Sequence, residues 1–443
     1  MSQLVKGNKK IIRAWALFDW ANSSYSLVIS SALFPIYFNA VTVYGTNNDV
    51  PFLGRVFNSA SLQTYSISIA FLVIALLSPV LSSMADYSGN KKRFMFFFST
   101  LGALSCCSLF FFKGIDTLWI GVFGSMLAAI GYAGSIVFYN AYLPEIAEPA
   151  DQDNVSAKGF SLGYIGSSLL LIFSLTMIMF PQWYGGIESG FATRLSFLLV
   201  GVWWFGFAQI TFARLPNNPY NKKPQGNIIT KGYLELKKVW GELKHTPRLK
   251  RYLISFFFYN MGAQTVMFVA SIFGANELKL DSSILIVTIL VIQFVAIGGA
   301  YLFSLISKRK GNIQALMYSI IIWVFVCIAA WFCDKRFGVN EQNMFIGIAA
   351  VVGLVMGGIQ SLSRSTYSKL LPDTMDHASY FSFYDVCDKV GTVLGTFMFG
   401  YINEVSGSMR NSIVLLASFF IIGLFLLTRV NRTIEEVKQR NVA

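Results

Sequence analysis

Seven residues sit where their chemistry is expensive. Asp19, Asn22, Gln360, Arg364, Asp385, Asp388 and Lys389 all lie inside long apolar stretches of the chain. A charge placed in hydrocarbon costs free energy and marks an ion path, a substrate site or a gate. A carboxyl in such a place can carry a proton, and a guanidinium or ammonium can hold an anion or close a salt bridge. Asp385 and Lys389 are four apart and share one helix face. Arg364 could meet Asp19 or Asp385 across helices. At 1.5 Å per residue, Asp19, Arg364 and Asp385 each fall roughly 9–12 Å from the same end of their spans. Two readings of this layer stand side by side. In one, Asp19 couples transport to protons and Arg364 or Lys389 holds an anion. In the other, Asp385, Asp388 and Lys389 are salt bridges of an inner gate. The amides Asn22, Asn140, Asn260, Gln264 and Gln360 could line a path for a polar solute, or could join helices by hydrogen bonds. Gln209 and Gln293 are weaker candidates of the same kind.

The elements that carry these residues follow from composition. Of 443 residues, 55% are hydrophobic and only 13% charged, with 41 Phe and a mean hydropathy of +0.56. Soluble domains carry roughly 25% charged residues, so lipid must be the solvent for most of this chain. Stretches of about 20 apolar residues suffice to cross a bilayer. They place spans near 14–42, 60–85, 93–113, 117–143, 157–181 and 191–214, then 250–275, 282–307, 312–333, 342–371, 377–403 and 409–429. The expected fold is an all-α membrane protein of twelve transmembrane helices. Its domains are an N-terminal six-helix half (1–214), a cytoplasmic linker with an amphipathic helix (215–248) and a C-terminal six-helix half (249–443). The basic start of the chain resembles a signal peptide, but the run from Trp15 to Ala40 is too long for one and reads as a retained first span.

Lys and Arg crowd one set of loops. Lys6, Lys9, Lys10 and Arg13 open the chain, Lys91, Lys92 and Arg93 follow span two, and Lys308, Arg309 and Lys310 follow span eight. The central loop contributes Lys222, Lys223, Lys231, Lys237, Lys238 and Lys244, whereas Lys335 and Arg336 fall in an opposite loop. This bias places both termini in the cytoplasm, and it accounts for the net charge of +13 without a nucleic-acid partner. Ile229, Tyr233, Leu236, Trp240 and Leu243 recur at helical spacing, with lysines between them. They read equally as a helix on the inner leaflet or as one packed on the ends of the spans. The five cysteines show no metal-ligand spacing, and His245 and His377 fall in expected loops, so no metal or cofactor is expected. No hydrolase, nucleotide or zinc motif is present, and no enzymatic activity is expected.

The halves look like a repeat. Tyr142-Leu143-Pro144-Glu145 closes span four and Leu370-Leu371-Pro372-Asp373 closes span ten. Ser82, Asp86, Gly89 and Lys91 align at one offset with Ala300, Ser304, Ser307 and Arg309. Gly159/Gly163, Gly353/Gly357 and Gly391/Gly395 are small-residue pairs suited to close helix crossing.

The loop Ser82-Ser83-Met84-Ala85-Asp86-Tyr87-Ser88-Gly89-Asn90-Lys91-Lys92 resembles the loop-two motif of the major facilitator superfamily. Ser82 replaces its first glycine and Asn90 its first basic residue. Trp15-Ala16-Leu17-Phe18-Asp19-Trp20-Ala21-Asn22-Ser23, Tyr139-Asn140-Ala141-Tyr142-Leu143-Pro144, Ser156-Ala157-Lys158-Gly159-Phe160-Ser161-Leu162-Gly163-Tyr164 and Gly357-Gly358-Ile359-Gln360-Ser361-Leu362-Ser363-Arg364-Ser365 together resemble its vacuole-effluxer-like branch. The resemblance implies the major facilitator fold, two pseudo-symmetric six-helix halves working by alternating access. It implies a gradient-driven transporter of a small solute such as an amino acid, directed outward, with protons as the candidate coupling ion. In these terms Asp86, Gly89 and Lys91 would latch the inner gate. The compact loops fit a monomer in a bacterial plasma membrane, with a vacuolar membrane as the other location. The competing reading is a membrane sensor or scaffold on the same fold.

Overall fold

The computed structural model describes residues 6–42, 49–218, 227–334 and 340–440. Lys222, Lys223, Lys335 and Arg336, which entered the charge bias, lie outside the described residues, as does the middle of the expected linker.

The chain is almost wholly helical. The helices are α1 (Lys9–Thr42), α2 (Ser59–Ser88), α3 (Lys91–Ser108), α4 (Leu118–Ala141), the short α5 (Leu143–Ile146), α6 (Gln152–Met179) and α7 (Ser189–Arg214). They continue as α8 (Ile228–His245), α9 (Pro247–Asn276), α10 (Ser282–Lys310), α11 (Asn312–Trp331), α12 (Glu341–Leu370), α13 (His377–Ser406) and α14 (Met409–Arg440). Eleven of them, among the described residues, contain segments long and apolar enough to cross a membrane. The twelfth span is α13, 30 residues long, whose hydropathy is depressed by Asp385, Asp388 and Lys389. In hydrocarbon a helix satisfies its own backbone polar groups, which is why this composition folds as helices throughout. Large apolar side chains such as Leu76, Phe97, Phe397 and Phe425 are exposed, as lipid-facing positions require.

Two compact units form. One comprises Met1–Tyr142 with Leu162–Gly232, and the other Leu143–Ser161 with Tyr233–Ala443. Thus α5 and the first ten residues of α6 pack with the second unit, and the remainder of α6 with the first.

Three local features depart from a plain set of rods. Within α1, residues Tyr25–Leu33 form a π-helical stretch. Pro35 follows it, lacking an N–H and crowding the preceding turn. The wider π turn absorbs this: Phe34 N–H reaches Ile29 O, and Ser31 Oγ donates to Ser26 O at 2.9 Å. The segment after α1, expected to be a plain loop, contains an antiparallel hairpin of β1 (Asp49–Phe52) and β2 (Arg55–Asn58). Its turn is Leu53-Gly54, both with positive φ, as a two-residue hairpin loop of this type needs. Finally, α6 begins at Gln152, five residues before its expected start. The histidines also differ from expectation. His377 is the first residue of α13 and buried, while His245 is the last residue of α8.

The second unit is held by a backbone-to-backbone crossing. A Cβ at Gly353 of α12 would sit 2.5 Å from Ile292 O of α10, and one at Gly357 would strike Ala296 O. The helices approach so closely because nothing larger than hydrogen projects between them. Gly357→Leu should therefore force α10 and α12 apart and cost about 1–3 kcal/mol. Thermal unfolding of the purified protein in detergent checks this, with Gly347→Leu, where a Cβ meets nothing, unchanged.

Candidate functional site

Each unit builds its own buried polar centre. In the first unit the centre is on α1. Asp19 is buried and accepts a hydrogen bond from Tyr139 Oη of α4 at 2.8 Å. Tyr139 is itself fixed, its ring stacked on Trp15 at 4.4 Å and its carbonyl accepting Trp15 Nε1–H at 2.9 Å. One turn on, Asn22 is 1% exposed, and its Nδ2 has no hydrogen-bond partner among the described residues. Close packing delivers these groups. Gly163 of α6 lets Ser23 approach to 2.5 Å of where a Cβ would stand, and Trp203 Nε1 of α7 ties down Trp20 O at 3.1 Å. Asn140 is buried beside Tyr139.

The loop-two residues belong to the same unit but to the junction of α2 and α3. Gly89 takes a left-handed conformation, φ +69°, and closes α2 with its N–H on Ala85 O and Asp86 O. A Cβ there would lie 2.5 Å from Asn218 Oδ1, so both conformation and space call for glycine. Asp86 and Lys91 are buried on either side of it. The Lys91 ammonium stands over the Tyr142 ring at 5.3 Å, Tyr142 Oη donates to Pro216 O, and Lys92 Nζ donates to Leu215 O. The turn thus braces the exit of α7.

In the second unit the centre is Asp388 of α13. Its Oδ1 accepts from Asn260 Nδ2 at 2.7 Å and from Gln264 Nε2 at 2.8 Å, both on α9. Its Oδ2 accepts from Lys389 Nζ at 2.6 Å. Lys389 also stands 3.6 Å from Asp385 Oδ1. The expected four-apart pair is therefore present, but the long lysine reaches back to its neighbour more closely. The amides read as path-lining candidates, Asn260 and Gln264, are oriented by a carboxylate. Asn260 and Gln264 occupy the middle of α9, and Asp385 to Lys389 sit roughly 12–18 Å along α13 from its start.

Beside this centre, Tyr259 Oη lies 2.8 Å from Ser363 Oγ and 3.1 Å from Tyr252 Oη, which donates to Ser363 O. Tyr384 is sandwiched by Phe256 and Tyr367. Arg364, on α12, donates through Nε and Nη2 to Ser156 Oγ and Ser156 O, both at 2.9 Å, with its plane 4.1 Å over Phe160. Gln360, one turn before it, is half-buried.

A second group in this unit had no sequence signal. Asp153, at the start of α6, is 2% exposed. It accepts from Ser307 Oγ, from Asn312 Nδ2 at 2.7 Å and pairs with Lys369 Nζ at 2.7 Å. Nearby, Glu145 of α5 faces His377 Nδ1 at 3.1 Å. Asp153 and Glu145 lay outside the expected spans, and their folding into α6 and α5 brings them to these partners. Ser307, which aligns with Gly89 when the halves are compared, lies inside α10, and the end of that helix is turned by Gly311 at φ +87°. On α8, Val239 is buried and Trp240 lies 5.5 Å from Phe383, while Ile229 and Tyr233 are exposed. The hydrogen bond to Glu235 pushes the Lys238 ammonium up from its ordinary range, and Asp376 adds to it. Burial pushes the Glu235 carboxyl up in spite of that lysine.

Removing Asp153 would leave the Lys369 ammonium facing no carboxylate there. Asp153→Ala should cost about 3 kcal/mol, read as a lowered midpoint of thermal unfolding. Arg364→Lys should also lower it, because an ammonium cannot make both bonds to Ser156 from a position over the Phe160 ring.

The comparisons with known proteins agree with this architecture. Residues 7–439 match the model of a family described as vacuole effluxer Atg22 like. An uncharacterized MFS-type transporter, YxiO of Bacillus subtilis, is 29% identical over 440 residues, covering 99% of both chains. Autophagy-related protein 22-2 of Neosartorya fischeri is 25% identical, over 87% of this chain and 77% of that one. Among solved structures, the proton:xylose symporter XylE, a major facilitator protein, superposes with a TM-score of 0.71 at 11% identity, covering 95% of each chain. A bacterial homologue of the iron transporter ferroportin in its outward-facing state gives 0.67 at 10% identity, over 96% of this chain and 98% of that one. At such identities these structures show the fold, that of the major facilitators.

Proposed function

From the premise that the chain belongs to the Atg22-like vacuole effluxer family and is a membrane transporter of the major facilitator type, we propose that it moves a small zwitterionic solute of the amino-acid class outward by alternating access. The observation that carries this reading is the Asp388 centre. A carboxylate, an ammonium and two carboxamides converge there inside a span, at a cost that a merely structural helix contact would avoid with apolar side chains. An ammonium-bearing solute can exchange with Lys389 on Asp388. In the first unit, the buried Asn22 Nδ2 without a partner among the described residues is a separate candidate donor to a polar solute. Within their own units, Asp19 and Asn140 in the first and Gln360 and Arg364 in the second are further proposed pathway residues. Asp86, Gly89 and Lys91 serve as the inner latch.

The distribution of Lys and Arg supports cytoplasmic termini, and the Bacillus relative supports a bacterial plasma membrane. One such pair of units is sufficient for transport as a monomer. The domain division at 214 and 249 follows the same reasoning, with α8 as the linker helix and its exposed Ile229 and Tyr233 toward the lipid surface.

The test is counterflow in proteoliposomes against a panel of labelled amino acids. One class should show saturable exchange and should raise the unfolding midpoint of the purified protein, because a ligand bound to the folded state stabilises it. Asp388→Asn should reduce exchange by at least tenfold. Absence of both exchange and stabilisation across the panel would overturn the amino-acid reading.

A further inference from the structure

Asp385 is the unbalanced member of its centre. Asp388 is saturated: two amide N–H groups on one oxygen and an ammonium on the other. Asp385 is 3% exposed. Its Oδ1 is 3.6 Å from Lys389 Nζ, beyond a good hydrogen bond, and its Oδ2 is buried with no partner among the described residues. Two carboxyls thus share one ammonium.

No other charge described in the second unit makes up the difference. On α13 the neighbours are Tyr384 and Cys387, which cannot supply positive charge. On α9 they are Tyr252 and Tyr259, whose hydroxyls are engaged with each other and with Ser363. On α12, Tyr367 Oη donates to Tyr380 O and Arg364 is held on Ser156. On α14, Arg410 pairs with Glu277 and Asp334, and Arg429 lies over Phe425. On α8, Lys238 pairs with Glu235 and Asp376, and Glu242 accepts from Tyr380 Oη.

A carboxylate buried this deeply with only a share of one ammonium is destabilised by the loss of water, and a bound proton removes that charge. We propose that Asp385 is a proton-binding site, and that the coupling proton of this transporter binds there. The reaction is simple: Asp385 carboxylate takes one proton to become the acid, and the charge of the three-residue centre rises from −1 to zero. A solute ammonium drawn to Asp388 would displace Lys389 toward Asp385, and the ammonium so delivered would expel the proton. Protonation and solute binding would therefore oppose each other, which is the relation an antiporter needs. Only this coupling step rests on the transport reading above; occupancy of the carboxyl by a proton does not.

Infrared difference spectroscopy of the purified full chain, titrated with acid and base, reads the protonated carboxyl directly through its C=O stretch. A titrating band should be present in the wild-type protein, absent in Asp385→Asn and retained in Asp19→Asn. Lys389→Gln should keep the band and move its titration upward by about one to three pH units, since a favourable cation is removed. That variant carries the test if Asp385→Asn does not fold. A band that survives Asp385→Asn, or no titration shift in Lys389→Gln, would overturn the inference. Loss of the band on replacing choline chloride with sodium chloride at fixed pH would also overturn it, in favour of a metal cation. Failed counterflow with an intact Asp385 band would reject transport and leave the proton site standing.

Discussion

A carboxylate within a membrane span stays ionised only where donors surround it, and Asp388 shows what that requires. Three donors from two helices converge on its two oxygens. Water would provide such donors without effort, and lipid provides none. Every donor must therefore come from another span or from the same helix. This single requirement dictates that α9 and α13 face each other in one register, with Asn260 and Gln264 one turn apart on the face that meets Asp388. The same rule operates at Asp153, where α6, α10, α11 and α12 each supply or support a partner.

Such centres need helices that approach closely and do not slide. Between α10 and α12 the glycines bring backbone against backbone, and dispersion over the crossing compensates for the weak hydrophobic drive between helices in lipid. Around α1 aromatic rings do the comparable work. Trp15 on Tyr139 and Trp20 on Trp203 bury large, rigid surfaces, and Trp15 Nε1 and Trp203 Nε1 each donate to a backbone carbonyl. The π stretch before Pro35 changes the phase of α1. Residues on its two sides are therefore not related by the ordinary 100° step, and the polar face at Asp19 and Asn22 need not continue toward the end of the helix.

The polar centres also explain the uneven distribution of polar groups. Asp388, Asp153 and Arg364 are supplied with partners at short range. Asp385 Oδ2 and Asn22 Nδ2 are buried with none among the described residues.

The twelve spans, the helical class and the charged positions within them were legible from composition and run length. Hydrocarbon leaves the backbone one solution, and so apolar length translates directly into a helix. Gly89 was singled out by the loop-two resemblance, and the structure gives it the left-handed conformation that favours glycine. The pairing at Asp388 was not legible. Spacing along one helix favours Asp385 with Lys389, but a lysine stem is long enough to reach an adjacent carboxylate once α9 turns its amides toward it. Asp153 carried no signal, and nothing in the sequence paired Glu145, known only from the repeated span ending, with His377. Their contacts span up to 232 residues of sequence, and the π stretch and the hairpin likewise depend on local geometry that hydropathy does not encode. Sequence alone determined that charges would be buried in lipid, because composition decides the solvent. Which charge meets which partner was decided only by the tertiary structure, because that depends on the rotation and register of helices whose apolar surfaces are nearly interchangeable.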